Sequence, residues 1–208
     1  MSAILRNACF RQAYTKASLP ESIREECANM LASLPAYETR VAVDGELQYA
    51  IAIDNAAVQL YADAGLAIEL ADDHPFVIAE WQRWQRALEN AEMFFAWSEN
   101  GPLGFYALAR AGDCAYLEQL SVRPEYGRRG LGASLLESAC DYCRTRGDTE
   151  LWLTTYAHVP WNRPFYERHG FRVVPDAQCN QALRLLLAEQ RDALPHPTQR
   201  IAMVRRLT

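Results

Sequence analysis

The sequence has no apolar run approaching the roughly 18–20 residues needed to cross a bilayer, so no membrane-spanning helix and no membrane partner are expected. It has no basic surplus either: lysine and arginine total 21 against 26 aspartates and glutamates, a formal charge of −5 over 208 residues. General nucleic-acid binders show the opposite balance, so no nucleic-acid partner is expected, although a local basic pocket is compatible with it. The first twenty residues hold Arg6, Arg11 and Lys16 and no acid, yet Ala3-Ile4-Leu5 is far too short for the core of a signal peptide. The expectation is a soluble cytoplasmic protein, with organelle targeting the minor alternative.

Cysteine is present but unpatterned. Cys9, Cys27, Cys114, Cys140, Cys143 and Cys179 lack a secretory context, so reduced core thiols are expected. Cys140 and Cys143 form a C-x-x-C inside a helical pattern, with no second pair and no nearby histidine. Neither a metal nor a redox site is expected there, and both are read as packing residues. Internal repeats and low-complexity tracts are also missing. What remains is an ordinary globular composition, 50% hydrophobic and 23% charged, enough for one cored domain with an appendage.

That appendage is residues 1–38. Ser18 can cap a helix opened by Pro20, and Ile23, Cys27, Met30, Leu31 and Leu34 recur at helical spacing. Such a stripe has to bury itself against the main body or against a second subunit, which leaves a homodimer open. In the main domain, 39–208, residues 38–43 (ETRVAV) read as a strand, and Asp44 can cap a helix to about residue 63. The acid-rich stretch 64–73 is a loop or broken helix, and Pro75 opens a second helix, PFVIAEWQRWQRALEN.

Three strands then follow at hairpin spacing: 93–97, 103–110 and 115–122, with a turn at Glu99-Asn100-Gly101-Pro102. A helix from Leu131 is stopped by Gly147. Its connection makes the next strand, 150–156, parallel to the one before it. A short helix (162–169), a strand (171–174), a helix (181–194) and a last strand (201–207) complete the pattern. The expected fold class is α/β, with a mixed, mostly antiparallel central sheet of about seven strands and helices on both faces.

Between the third hairpin strand and its helix lies VRPEYGRRGLGA, with Arg123, Arg128 and Arg129 beside Gly127, Gly130 and Gly132. Strand, glycine loop and helix together aim backbone N–H groups and a helix dipole at an anion. A P-loop would need Gly-Lys-Ser/Thr, and the stretch has no lysine. A dinucleotide fingerprint runs G-x-G-x-x-G at the start of a βαβ unit; here the order is reversed and the loop follows a hairpin.

The longer stretch LEQLSVRPEYGRRGLGASLL resembles the acyl-CoA loop of the GNAT superfamily, the Gcn5-related N-acetyltransferases. Their signature is Gln/Arg-x-x-Gly-x-Gly/Ala after a strand ending in valine. One position departs, since Gly127 stands where the family has Gln or Arg. A second segment, AHVPWNRPFYERHGF, resembles the family's later motif at Phe165, Tyr166, Glu167, Gly170 and Phe171, one helix and one strand further on. The similarity covers roughly residues 39–174 and leaves 1–38 outside it.

The resemblance implies acetyl-CoA as co-substrate, no metal, and direct transfer of the acetyl group to a primary amine of a small-molecule or amino-acid-like acceptor. The main chain of Leu120, Ser121 and Val122 would pair with the pantetheine arm like an added strand, if this strand splays from the one at 152–155. Gly127, Arg128, Arg129, Gly130, Leu131, Gly132 and Ala133 would hold the pyrophosphate, and a backbone N–H near Leu120 the oxyanion. Tyr166 is the candidate acid for the departing thiolate and Glu118 the candidate base or amine anchor, although strict alternation puts Tyr116 on the same face. Asn162 is a candidate for positioning the cofactor or a water. Tyr61, Glu69 and Trp84, with Asp72 and Asp73, are candidates for the acceptor pocket; for the acids a solvated surface is the competing reading. The functional alternatives are a protein-directed acetyltransferase and a non-catalytic acyl-CoA sensor.

Overall fold

The apolar stripes predicted from the sequence become helices whose starts are set by local chemistry. In the computed structural model residues 34–207 are described; the extension expected over 1–38, through residue 33, lies outside them. Strand β1 (Tyr37–Val41) leads to helix α1 (Leu47–Asp63). Asp44 does not cap this helix. The N-cap position falls to Glu46, whose carboxylate instead accepts the Val43 N–H and pairs with Arg40 at 2.6 Å. Helix α2 (Pro75–Glu89) begins as expected at a proline, and the His74 imidazole accepts the Phe76 N–H at 3.2 Å.

Strands β2 (Met93–Ser98), β3 (Gly101–Ala111) and β4 (Cys114–Val122) form the antiparallel meander. Helix α3 (Leu131–Thr145) crosses to β5 (Glu150–Tyr156), which runs parallel to β4. Then come the short α4 (Arg163–Arg168), β6 (Arg172–Val174), α5 (Gln181–Ala193) and β7 (Arg200–Arg206). Asn180 caps α5 by accepting the Leu183 N–H at 2.8 Å.

The seven described strands make one sheet in the order β1-β2-β3-β4-β5-β7-β6, antiparallel everywhere except β4–β5. Adjacent β3 residues show its two faces. Phe105 packs edge-on against Trp84 of α2, whereas Tyr106 bonds Ser138 of α3 at 3.2 Å and stacks on Phe94. Helices α1 and α2 cover the first face, where Ala50, Ile53, Trp84, Phe95 and Phe105 share a core, and α3 covers the second. Cys140 and Cys143 sit on the packed side of α3, their thiols pushed up to about 11 and about 12 by burial. That agrees with a packing role and not a reactive one.

Candidate active site

The sheet opens along one edge of β4. Its register with β5 consists of Ala115↔Leu151 and Tyr116↔Trp152, after which the two strands diverge. The other edge stays bound to β3, with Tyr106↔Leu120, Phe105↔Ser121 and Gly104↔Val122 in register. Leu120, Ser121 and Val122 therefore lie beyond the paired part of β4, with no β5 partner on that edge. Gly104 lets β3 come this close, since a Cβ there would lie 2.8 Å from the Ser121 carbonyl oxygen.

At the far end of β4 the chain turns through a 3-10 helix (Pro124–Tyr126) into the N-terminus of α3. Arg128 and Gly130 both take left-handed backbone conformations, φ +60° and +85°. A non-glycine residue held there is uncommon and marks a loop over-determined by its surroundings. Gly130 is the N-cap of α3, so the first-turn N–H groups of Leu131, Gly132 and Ala133 have no acceptor within the helix. They and the helix dipole suit an anion. The expectation for Gly127 is corrected: its N–H donates to the Pro124 carbonyl at 3.1 Å and so does not face an anion. A Cβ at 127 would crowd that same oxygen at 3.1 Å, which accounts for a glycine here. The two motifs meet in space, because the Phe165 ring edge lies 3.8 Å from the Cβ position of Gly132.

Midway along β4 the register slips. Ala107 pairs with Gln119 and Leu108 with Leu117, so Glu118 is an extra, bulged residue. A bulge resets the alternation, and Gln119 and Ser121 thereby join Tyr116 and Glu118 on the α1/α2 side. Asp54 of α1 collects them: its Oδ1 accepts from Ser121 Oγ at 2.6 Å and from the Gln119 amide. Glu118 is held differently, in a 2.6 Å bond from Arg83 Nε of α2, with its side chain only 4% exposed. A third carboxylate, Glu80, lies one turn before Arg83 on α2 and has no hydrogen-bond or ion-pair partner among the described residues. Burial raises the pKa of all three acids. For Asp54 the Ser121 and Gln119 bonds oppose the rise, and for Glu118 the Arg83 charge does. Glu80, with the Asp54 and Glu118 charges adding to burial, is pushed up to about 8.

Tyrosines close the other side. Tyr166 of α4 packs between Phe165 and Phe171, its hydroxyl makes no hydrogen bond among the described residues, and burial raises its pKa. Asn162 is buried and donates to the Tyr61 hydroxyl at 3.5 Å, while Tyr61 packs against Trp161. Beneath them Tyr116 shares a 2.6 Å bond with Thr154 Oγ1, which also accepts from Arg200 Nη2 at 3.1 Å. Arg200 is buried, bonds Gln190 at 2.7 Å, lies over the Tyr156 ring, and has no carboxylate partner among the described residues. Its field reaches Glu80, Tyr61, Tyr116 and Tyr166.

This arrangement has relatives. The model of the acetyltransferase (GNAT) family matches residues 54–171, more than half of the chain. The chain belongs to the GNAT acetyltransferase family. The [ribosomal protein bS18]-alanine N-acetyltransferase of Escherichia coli is 36% identical over 78 residues, 37% of this chain and 53% of that protein. The chain thus spans about half the length of this curated relative. Among solved structures, N-acetylglutamate synthase of Neisseria gonorrhoeae with coenzyme A and N-acetyl-glutamate has a TM-score of 0.60 at 20% identity, over 85% of this chain and 36% of that one. The PaiA N-acetyltransferase of Thermoplasma acidophilum with coenzyme A has a TM-score of 0.59 at 17% identity, over 82% and 99%. At such identities these two establish the shared fold, a mixed seven-stranded sheet.

Against this GNAT framework the expected site residues divide. Leu120, Ser121, Val122, Tyr166, Asn162, Tyr61 and Glu118 gather around the β4–β5 opening, and Arg128 to Ala133 form its loop. Trp84 does not reach it; only 1% exposed, it fills the core against Phe105. Glu69, Asp72 and Asp73 stay exposed on the α1–α2 loop, which is anchored by buried Leu66 and turns its acids to solvent. The sequence reasoning passed over Asp54, Glu80, Arg83, Gln119 and Arg200. For two of these a signal exists: Asp54 continues the apolar stripe Leu47, Ile51, Val58, Tyr61, and Glu80 lies four residues from both Phe76 and Trp84. A carboxylate on an inward stripe costs stability unless it has work to do.

Proposed function

We propose that this GNAT protein moves an acetyl group from acetyl-CoA to the primary amine of a small-molecule or amino-acid-like acceptor, by direct attack in a ternary complex. The observation that carries the reading is the opening of β4 away from β5, with an anion-suited loop at one end and half-buried acids and tyrosines beside it. The pantetheine arm lies along Leu120–Val122 and pairs with their main chain. Arg128, Arg129 and the N–H groups of Gly130, Leu131, Gly132 and Ala133 hold the pyrophosphate. A main-chain N–H near Leu120 stabilises the oxyanion, and Tyr166 donates its proton to the departing thiolate. Solved GNAT relatives holding coenzyme A support the donor. Likeness to the bS18-alanine enzyme favours a second acceptor reading, a protein N-terminus.

Acetyl-CoA should raise the melting temperature, since a ligand bound only by the folded state stabilises it. Thiol release would then be followed over amino acids, polyamines and N-terminal alanine peptides. Absence of stabilisation by any CoA ester would overturn the donor assignment. Stabilisation without acetylation of any amine, and with Tyr166→Phe indistinguishable from wild type, would leave an acyl-CoA sensor.

A further inference from the structure

We propose that helix α1 is a brace across the β4–β5 opening, with Asp54 and Tyr61 as the positioning residues that hold its two lips one added strand apart. This rests on the acetyl-CoA reading of the opening, and in it Asp54 acts through β4 and not on the reacting atoms.

Each end of the brace grips one lip. Asp54 Oδ1 accepts from Ser121 Oγ at 2.6 Å and from the Gln119 amide, and that amide also donates to Ser121 Oγ at 3.2 Å. The three side chains close a triangle on β4 just past the bulge at Glu118, where the pairing with β5 has already ended at Tyr116↔Trp152. Further along α1, Tyr61 meets the other lip. Its ring lies 6.5 Å from that of Tyr156, the last residue of β5, and 5.9 Å from that of Trp161. Its hydroxyl accepts from Asn162 at 3.5 Å, in the turn that leads into α4.

The spans agree. Positions 54 and 61 are two helical turns apart on one face of α1, about 10 Å along its axis. Two strands with a third between them are separated by two sheet spacings, also roughly 10 Å. A helix anchored on both lips thus sets the gap before a ligand arrives, and a slot ordered in advance binds more tightly than one that must be opened. Ser121 is held from its other side as well, because Gly104 lets β3 pack against its carbonyl. What the brace needs at position 54 is an acceptor oxygen, which asparagine also carries; taking a proton would need the carboxylate.

The test uses the full chain. Asp54→Ala should weaken CoA binding in titration calorimetry about 10–100-fold, and Asp54→Asn should recover most of that loss. Tyr61→Leu should weaken binding too, and the double variant by less than the product of the two effects, since a brace released at one end no longer holds at the other. With spermidine or an alanine-initiated peptide as acceptor, the loss in Asp54→Ala should fall on KM for acetyl-CoA more than on kcat. Hydrogen exchange in ligand-free protein gives a readout that needs no CoA. Asp54→Ala should speed exchange over 117–123 while sparing β2, and Asp54→Asn should not. If Asp54→Ala does not fold, Ser121→Ala releases the same grip from the strand and should act in the same direction. Unchanged CoA affinity or unchanged exchange over 117–123 on releasing this grip overturns the brace, as do an Asp54→Asn no better than Asp54→Ala and effects of the two ends that simply multiply. Faster exchange over 117–123, in a protein whose wild type binds no CoA ester, would leave the brace standing and overturn the acetyl-CoA reading.

Discussion

The two sides of the cleft are built by opposite means. The proposed donor side is one continuous stretch, β4 and the loop into α3, and what it offers is mainly backbone: an unpaired strand edge, left-handed residues at 128 and 130, and a helix N-terminus. The proposed acceptor side is assembled from Asp54, Tyr61, Glu80, Arg83, Glu118, Tyr166 and Arg200, on five separate elements, and would work through side-chain charge in a half-buried setting. Backbone sites tolerate side-chain replacement but not conformational change. Charged side-chain sites behave in the reverse manner.

Substitutions can break this contrast, beginning where the effect is largest. Tyr166→Phe removes one oxygen from the charged side. It should lower kcat about 10²–10⁴-fold while leaving KM for acetyl-CoA nearly unchanged; steady-state kinetics decide it, and a rise in KM alone would put Tyr166 on the donor side. Arg83→Met strands the Glu118 carboxylate in a buried position and should cost on the order of 3 kcal/mol in urea unfolding. Adding Glu118→Gln should recover most of that loss.

Next comes pH. The folded-state pKa of Glu80 is raised above its unfolded value, to about 8. Folding therefore favours its protonated form, and the stability this contributes is present below the ordinary glutamate range and is lost as pH rises towards 8. Glu80→Gln should be more stable than wild type at pH 8, by about 4 kcal/mol, and nearly equal at pH 4. Thermal melts at the two pH values suffice, and an advantage that does not grow with pH argues against a raised Glu80.

Two backbone changes are smaller. Gly104→Ala presses on the Ser121 carbonyl and Leu135, 2.8 and 3.1 Å away. It should cost about 1–3 kcal/mol and raise KM for acetyl-CoA by shifting β4, with kcat less affected. Arg128→Gly relieves a left-handed residue worth roughly 1 kcal/mol. Stability should hold or improve slightly while acetyl-CoA binding weakens and loses part of its salt dependence.

The contrast also explains what the sequence made legible. Strands 93–97, 103–110 and 115–122, the 131 helix and the β4–β5 opening were readable because turn residues, periodicity and the glycine loop are local signals. Gly127 was misjudged because a motif says which residues stand together, not where an amide points, and here the Pro124 carbonyl takes it. Trp84 was misplaced because an aromatic residue on a helix reads alike whether it lines a pocket or fills a core.

By itself, then, the sequence determined the order of elements, the membership of the sheet and the strand–glycine loop–helix junction, since each depends on residues close along the chain. Only the tertiary structure decided the charged half. The bulge at Glu118, a single unpaired residue with no mark of its own in the sequence, turns Gln119 and Ser121 towards Asp54. The insertion of β7 between β5 and β6 brings Arg200 under the same cleft. A pKa near 8 at Glu80 arises from burial and the fields of residues far apart in sequence, and such fields exist only once the chain has folded.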